Sequence, residues 1–411
     1  MTVTTIFNHT SSLMSIVKPN TKVNSGAFIL PIIIGSQFAC TSLWFAGNAI
    51  MDDLILETGL GTEIIGYVLS SVQIGFILGT LVFAVFMIAD RYSPSKVFMV
   101  SAFLAALCNM GLLIQDISNT TLFIARMGTG FFLAGIYPVG MKIAADYYEK
   151  GLGKALGYLV GALVLGTAFP HLLQGLKWSE DYTIVIVITS LLAILGGLAI
   201  YFMVPNGPYR KPSKVLQLRA GIALFKIPAF KKSAIGYFGH MWELYAFWAF
   251  IPFAIKSYNS MHNNHLPISL WTFSIIGLGG ISCAIGGHFA LRWGSKKVAV
   301  ISLLLSGFLC ATSPLFFLMP TYLFLLAFCL WGVFVVSDSP QFSTLVASAV
   351  PLELKGTALT LVNCIGFSIS IISIQLLTYW LDVMDSSYIF TVLTIGPILG
   401  LWAMRNGGLN K

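Results

Sequence analysis

The sequence predicts an all-α integral membrane protein: twelve transmembrane helices in two six-helix halves, with both termini cytoplasmic. Three observations predict it. The 411 residues are 57% hydrophobic and 9% charged, with a mean hydropathy of +0.87, against about 25% charged in an ordinary soluble domain. Apolar segments recur at close to the ~20 residues a helix needs to cross hydrocarbon. A polar, basic stretch divides them six and six.

The first half, 1–204, carries spans near 26–50, 64–88, 97–115, 121–143, 155–175 and 182–204. A cytoplasmic basic linker, 205–232, follows. The second half, 233–411, carries spans near 234–256, 269–291, 298–318, 321–348, 357–380 and 387–404. The opening residues are polar, and the first apolar run is too long for a signal h-region, so no cleaved signal is expected. Cytoplasmic termini place all but three of the 23 basic residues inside. Lys177 and Lys256 fall outside, and Arg126 lies in the fourth span. Asp52, Asp53, Glu57, Glu63, Asp116, Glu180, Asp181, Asp382 and Asp385 fall outside. The positive-inside rule is met. A net charge of +8 could point to nucleic acid, but the bases are scattered in short loops without interleaved aromatics, which excludes it. The six cysteines sit singly in apolar runs, so no disulfide framework and no metal site is expected.

The two halves echo each other. FMIADRYSPSK (Phe86 to Lys96) and GHFALRWGSKK (Gly287 to Lys297) align Arg91 with Arg292 at an offset of 201 residues. EKGLGKALG (Glu149 to Gly157) and ELKGTALT (Glu353 to Thr360) echo at a slightly larger one. Parallel repeats of this kind fit an axis along the membrane normal. These residues resemble the major facilitator superfamily. Its loop signature after the second span is matched by Asp90 and Arg91 in the first copy and by Gly287, Arg292 and Gly294 in the second. Its fourth-span pattern is matched by Leu122, Arg126 and Gly130. Its antiporter pattern in span five is met only by Gly157 and Gly166. Pro170 stands where the next glycine should be.

The resemblance implies a secondary active transporter working by alternating access, with proton-coupled uptake of a small organic solute as the leading reading. A proton-coupled drug or metabolite exporter is the alternative. It implies a site lined by spans one, four, seven and ten. There Trp44, Asn48, Trp242, Tyr245, Gln341 and, from span eleven, Asn363 are candidate substrate contacts. Gating falls to Asp90, Arg91 and Arg292, the acid pairing with base across the inner face. No cofactor is implied. The partners are protons, the solute and a lipid bilayer, in a monomer of the cell inner or plasma membrane. Related porters of nitrate-type anions use an arginine in each of spans two and eight, and neither span has one here.

Charges at membrane depth cost on the order of 3 kcal/mol or more on insertion scales and usually face a cavity or a partner. Glu243 lies eleven residues past Lys232, about 16 Å along a helix, near the midplane. His240, three residues earlier, shares its face, so the two read as a titratable pair. Asp338 lies beside Pro340, where span ten should kink. Arg126 offers either proton transfer or a counter-ion to Glu243 or Asp338. The four are the proton-coupling candidates, and they give the expected cavity more acid than base. Neither H-E-x-x-H nor G-x-S-x-G occurs, and no phosphate-cradling loop. An enzyme is not expected.

Overall fold

Lipid offers no hydrogen bonds, so a chain this apolar must satisfy its backbone within each segment, and only helices or closed barrels do so. The computed structural model describes residues 26–59, 64–115, 117–148, 152–176, 181–210 and 218–405, and every regular element among them is helical. Lys18, Lys22, Glu63, Asp116, Lys150, Lys177, Glu180, Lys211, Lys214 and Lys411, which carry part of the orientation reading, lie outside the described residues. So do Glu149 to Gly151 of the second repeat echo.

The first half runs α1 (Gly26–Thr41), α2 (Ala46–Ala49), α3 (Met51–Thr58), α4 (Ile64–Val85), α5 (Ile88–Arg91), α6 (Pro94–Met110), α7 (Asn119–Leu133), α8 (Tyr137–Tyr147), α9 (Leu152–Leu176) and α10 (Thr183–Met203). After α11 (Leu218–Ala223), the second half runs α12 (Pro228–His262), α13 (Ile268–Trp293), α14 (Ser295–Phe316), α15 (Thr321–Ser337), α16 (Ser339–Ser348), α17 (Lys355–Val383) and α18 (Ile395–Arg405). Among the described residues, nine helical stretches are long and apolar enough to cross a membrane, α7 with α8 and α15 with α16 each counting as one. Phe28–Thr41 and Ile389–Arg405 are apolar but shorter. At 35 residues α12 is long enough, but it is more polar, carrying Lys231, Lys232, His240, Glu243 and Lys256.

Two breaks repeat across the halves. Span ten stops at Ser337 and restarts at Ser339, with Pro340 in the first turn of α16. Span four stops at Leu133 and restarts at Tyr137, with Pro138 in the first turn of α8. Proline has no N–H to give the preceding turn and sits well only in a first turn. Residues 138 and 340 are 202 apart, close to the offset of the loop echoes. The break at Pro138 went unread in the sequence, where span four ended near 143. The helix continues to Tyr147 and buries Asp146.

The halves meet where α9 packs on α13 and α4 on α17. At the first crossing, a Cβ on Gly161 would stand 2.9 Å from the Gly280 carbonyl oxygen. One on Gly280 would stand 3.0 Å from that of Gly161. Only glycine lets these backbones approach so closely, a common device between membrane helices.

Candidate functional site

A cavity of about 360 Å³ lies between the halves. Its closed end is an aromatic layer drawn from both. Trp44, in the turn after α1, is buried and outside the lining, and stacks on the lining Tyr245 of α12 with ring centres 5.7 Å apart. Phe76 of α4 and Phe367 of α17 close on each other at 4.8 Å. From this layer the cavity runs past Tyr137 and Tyr237 toward Ser348, Lys355 and Leu156, near the basic-loop ends of their helices. One wall is the polar stripe Ser339, Ser343, Thr344 and Ser348 on α16, faced by Asn363 on α17. The Ser343 and Thr344 hydroxyls donate to carbonyls one turn back, at 3.2 and 2.8 Å. Their lone pairs remain available to a ligand.

Beyond the aromatic layer is a smaller pocket of about 170 Å³, lined by Asn48, Asp52, Asp53, His171, Gln174 and Lys256 among others. Lys256 of the second half stands 3.3 Å from Asp52 of the first. Gln375 of α17 donates to the Gly66 carbonyl and Ser70 hydroxyl of α4, each at 2.9 Å. The halves are therefore bonded together on this side and parted on the other.

The ionisable groups at depth are arranged differently from the expected pattern. His240 and Glu243 do not meet. Glu243 turns into the second half, where its carboxylate accepts from Trp331 Nε1 at 2.6 Å, Ser306 Oγ at 3.0 Å and Cys310 Sγ at 3.2 Å. His240 instead reaches across to the break in span ten. Its Nδ1 lies 2.9 Å from Asp338 Oδ1, and both side chains are at most 1% exposed. The approach is off the line of a ring N–H, so the two are in close contact without an aligned hydrogen bond. Three residues along a helix put two side chains on one broad face, but about 60° apart, enough to send them to different neighbours.

Arg126 finds neither acid. Its guanidinium donates to Asn109 Oδ1 and the Leu43 carbonyl, each at 3.2 Å, and to the Trp44 carbonyl. These carbonyls belong to the turn between α1 and α2, where the helix has released them. The arginine thereby holds the backbone that carries Trp44.

The expected contacts divide likewise. Tyr245 and Asn363 line the cavity, while Asn48 lines the outer pocket. Trp242 donates to the Val392 carbonyl at 3.2 Å, inside the second half. Gln341 is buried and not part of the lining. The α16 stripe, Tyr137 and Tyr237 were missed, although the 339, 343, 344, 348 spacing was a readable polar face. The expectation of more acid than base is corrected. Lys355 is the one charged lining residue among those described, and no carboxylate lines the cavity. Glu243 spends its oxygens on partners behind the wall, and Asp338 is buried beside His240.

At the loop signature, Asp90 Oδ1 pairs with Lys142 Nζ of α8 at 2.7 Å. Arg210 donates to the Asp90 and Tyr92 carbonyls at 3.0 and 2.8 Å. These contacts stay within the first half and its linker. Arg91 and Arg292 are exposed.

The family model for the major facilitator superfamily matches residues 32–374. The chain belongs to the major facilitator superfamily. It is thus a multi-pass membrane protein and a secondary transporter, not an enzyme. Among solved structures it is similar to a crystal structure of the nucleoside transporter NupG. The TM-score is 0.70 at 15% identity, over 92% of this chain and 99% of that one. At that identity the likeness carries the superfamily fold. No curated protein sequence matches the chain.

Proposed function

We propose that the protein takes up a small, neutral, flat organic solute by proton-coupled alternating access, as a monomer in a cell inner or plasma membrane. The carrying observation is the cavity between the halves: aromatic at its closed end, with hydroxyls and an amide along its wall and no lining carboxylate among the described residues. Aromatic faces stack on flat rings, and Ser, Thr and Asn select donors and acceptors at a ring edge. A cation would meet Lys355 and no counter-charge. The likeness to a nucleoside transporter puts nucleosides and nucleobases first in a screen.

A ligand of the folded state raises apparent stability by about 2.7 kcal/mol at a hundred times its dissociation constant. Purified protein is expected to rise in melting temperature with one class of neutral ring compound and not with inorganic anions. Asn363→Leu should remove that rise. A rise that survives both Asn363→Leu and a cavity-filling Ser343→Trp would place the ligand elsewhere.

In this reading the chain crosses twelve times with both termini inside, and the structure is the inward-facing state. The Asp90–Lys142 pair then holds the first loop against α8 until the inner side closes. An ion pair near the surface is worth only about 0–1 kcal/mol, yet a two-state equilibrium responds to that much. Asp90→Asn should slow transport and leave ligand affinity unchanged. An impermeant thiol reagent should label a cysteine placed beside Asp52 from outside, and more in this variant. Labelling only from the inner side would overturn the orientation. Unchanged labelling with intact transport would remove the gate.

A further inference from the structure

Between α13, α14 and α15 lies a groove of about 380 Å³ that is separate from both the central cavity and the outer pocket. Leu278, Ile281, Ile285 and Phe289 line it at helical spacing on α13, with Ile301 and Val333 opposite. The four α13 side chains are exposed, so the groove opens outward from the bundle. It runs to Trp293, 52% exposed, where α13 ends. Trp293 and Leu278 are fifteen residues apart, about 22 Å along a helix. Half of a bilayer's hydrocarbon core is about 15 Å. The groove is as deep as one leaflet.

Its end is positively charged. Arg292, Lys296 and Lys297 flank Trp293 in the chain, with Lys297 Nζ 5.6 Å from the indole ring. None of the three has a carboxylate partner among the described residues. The internal repeat sharpens the point. The first-half loop carries Asp90 on Lys142, whereas the second-half loop puts Leu291, 84% exposed, in the acid's place. The first copy supplies an acid, paired with Lys142, and the second supplies none. That second copy leaves three bases at the mouth of an apolar groove.

We infer that this groove holds an acyl chain of an anionic phospholipid, whose phosphate rests on Arg292, Lys296 and Lys297. Basic clusters where helices leave the membrane attract anionic head groups, and Trp sits at that level. A zwitterionic lipid would bring its own ammonium against three cations. A free phosphate would leave the groove empty.

The test uses delipidated full-length protein in detergent, titrated with phosphatidylglycerol, phosphatidylcholine of the same chains, or inorganic phosphate. Retained lipid is read by native mass spectrometry and stability by thermal unfolding. Phosphatidylglycerol should be retained at least roughly tenfold more strongly than phosphatidylcholine, and phosphate alone should do nothing. Lys296→Gln with Lys297→Gln should erase the preference, and Ser302→Phe, which fills the groove, should lower retention of both lipids. Equal retention of the two lipids by the unaltered protein overturns the inference, whether or not the variants fold. So does phosphate stabilising as strongly as phosphatidylglycerol, or a preference that survives loss of both lysines.

Discussion

Asp338→Asn is expected to abolish proton-driven accumulation in proteoliposomes and to leave solute exchange at equal concentrations running. Asp338 stands in the break between α15 and α16, fully buried, 2.9 Å from His240. It opens α16 without capping it by its side chain, which leaves the carboxylate free to face the histidine. Histidine is the side chain whose ordinary titration range brackets physiological pH, and a proton on such a pair belongs to both members. Ser339, the next residue, and Tyr237, its ring 5.9 Å from that of His240, both line the cavity. The pair is thus one residue behind the solute. Asparagine keeps the shape and an acceptor oxygen but cannot take up a proton. His240→Gln should show the same loss, because removing either member ends the exchange of protons between them. Normal accumulation by correctly inserted Asp338→Asn would sink the assignment. Failure of exchange as well would make Asp338 a structural residue.

The helical, membrane-spanning character of the chain was legible because lipid imposes a crude rule, about twenty apolar residues per crossing. The break at Pro340 was legible for a similar reason, since a proline within an apolar run has few structural outcomes. What was not legible is direction. On a helix such as α12, whose few polar residues form no single stripe, nothing marks the side turned to the cavity, so Glu243, His240 and Trp242 looked like neighbours in one site. Their partners Ser306, Asp338 and Val392 lie between 63 and 150 residues away, and no local spacing encodes them. Arg126 shows the same limit. An arginine in a span suggests an acid, and here its partners are backbone carbonyls freed by a turn that carries no proline.

Glu243→Leu is expected to cost stability, and Glu243→Gln to keep proton coupling. The carboxylate ties α12 to α14 through Ser306 and Cys310 and to α15 through Trp331. Trp331 is itself packed against Phe247, with ring centres 4.4 Å apart, and is fully buried. Leucine removes all three acceptor contacts and strands the indole N–H in an apolar core. Hydrogen bonds between membrane helices average about 0.6 kcal/mol, so three amount to about 2 kcal/mol. A stranded buried donor adds about 1–3 kcal/mol. A loss of about 3–5 kcal/mol follows, read as lower yield and earlier unfolding in detergent. Glutamine keeps one carbonyl oxygen for Trp331 and should lose less than half as much. With that smaller loss the glutamine variant should fold, so that its accumulation can be measured directly, and it should match the unaltered protein. If instead it is stable, exchanges solute and cannot accumulate it, the coupling proton sits on Glu243. The three donors around it would then be the means of releasing and recapturing that proton, and the His240–Asp338 pair would be left holding only the break in span ten.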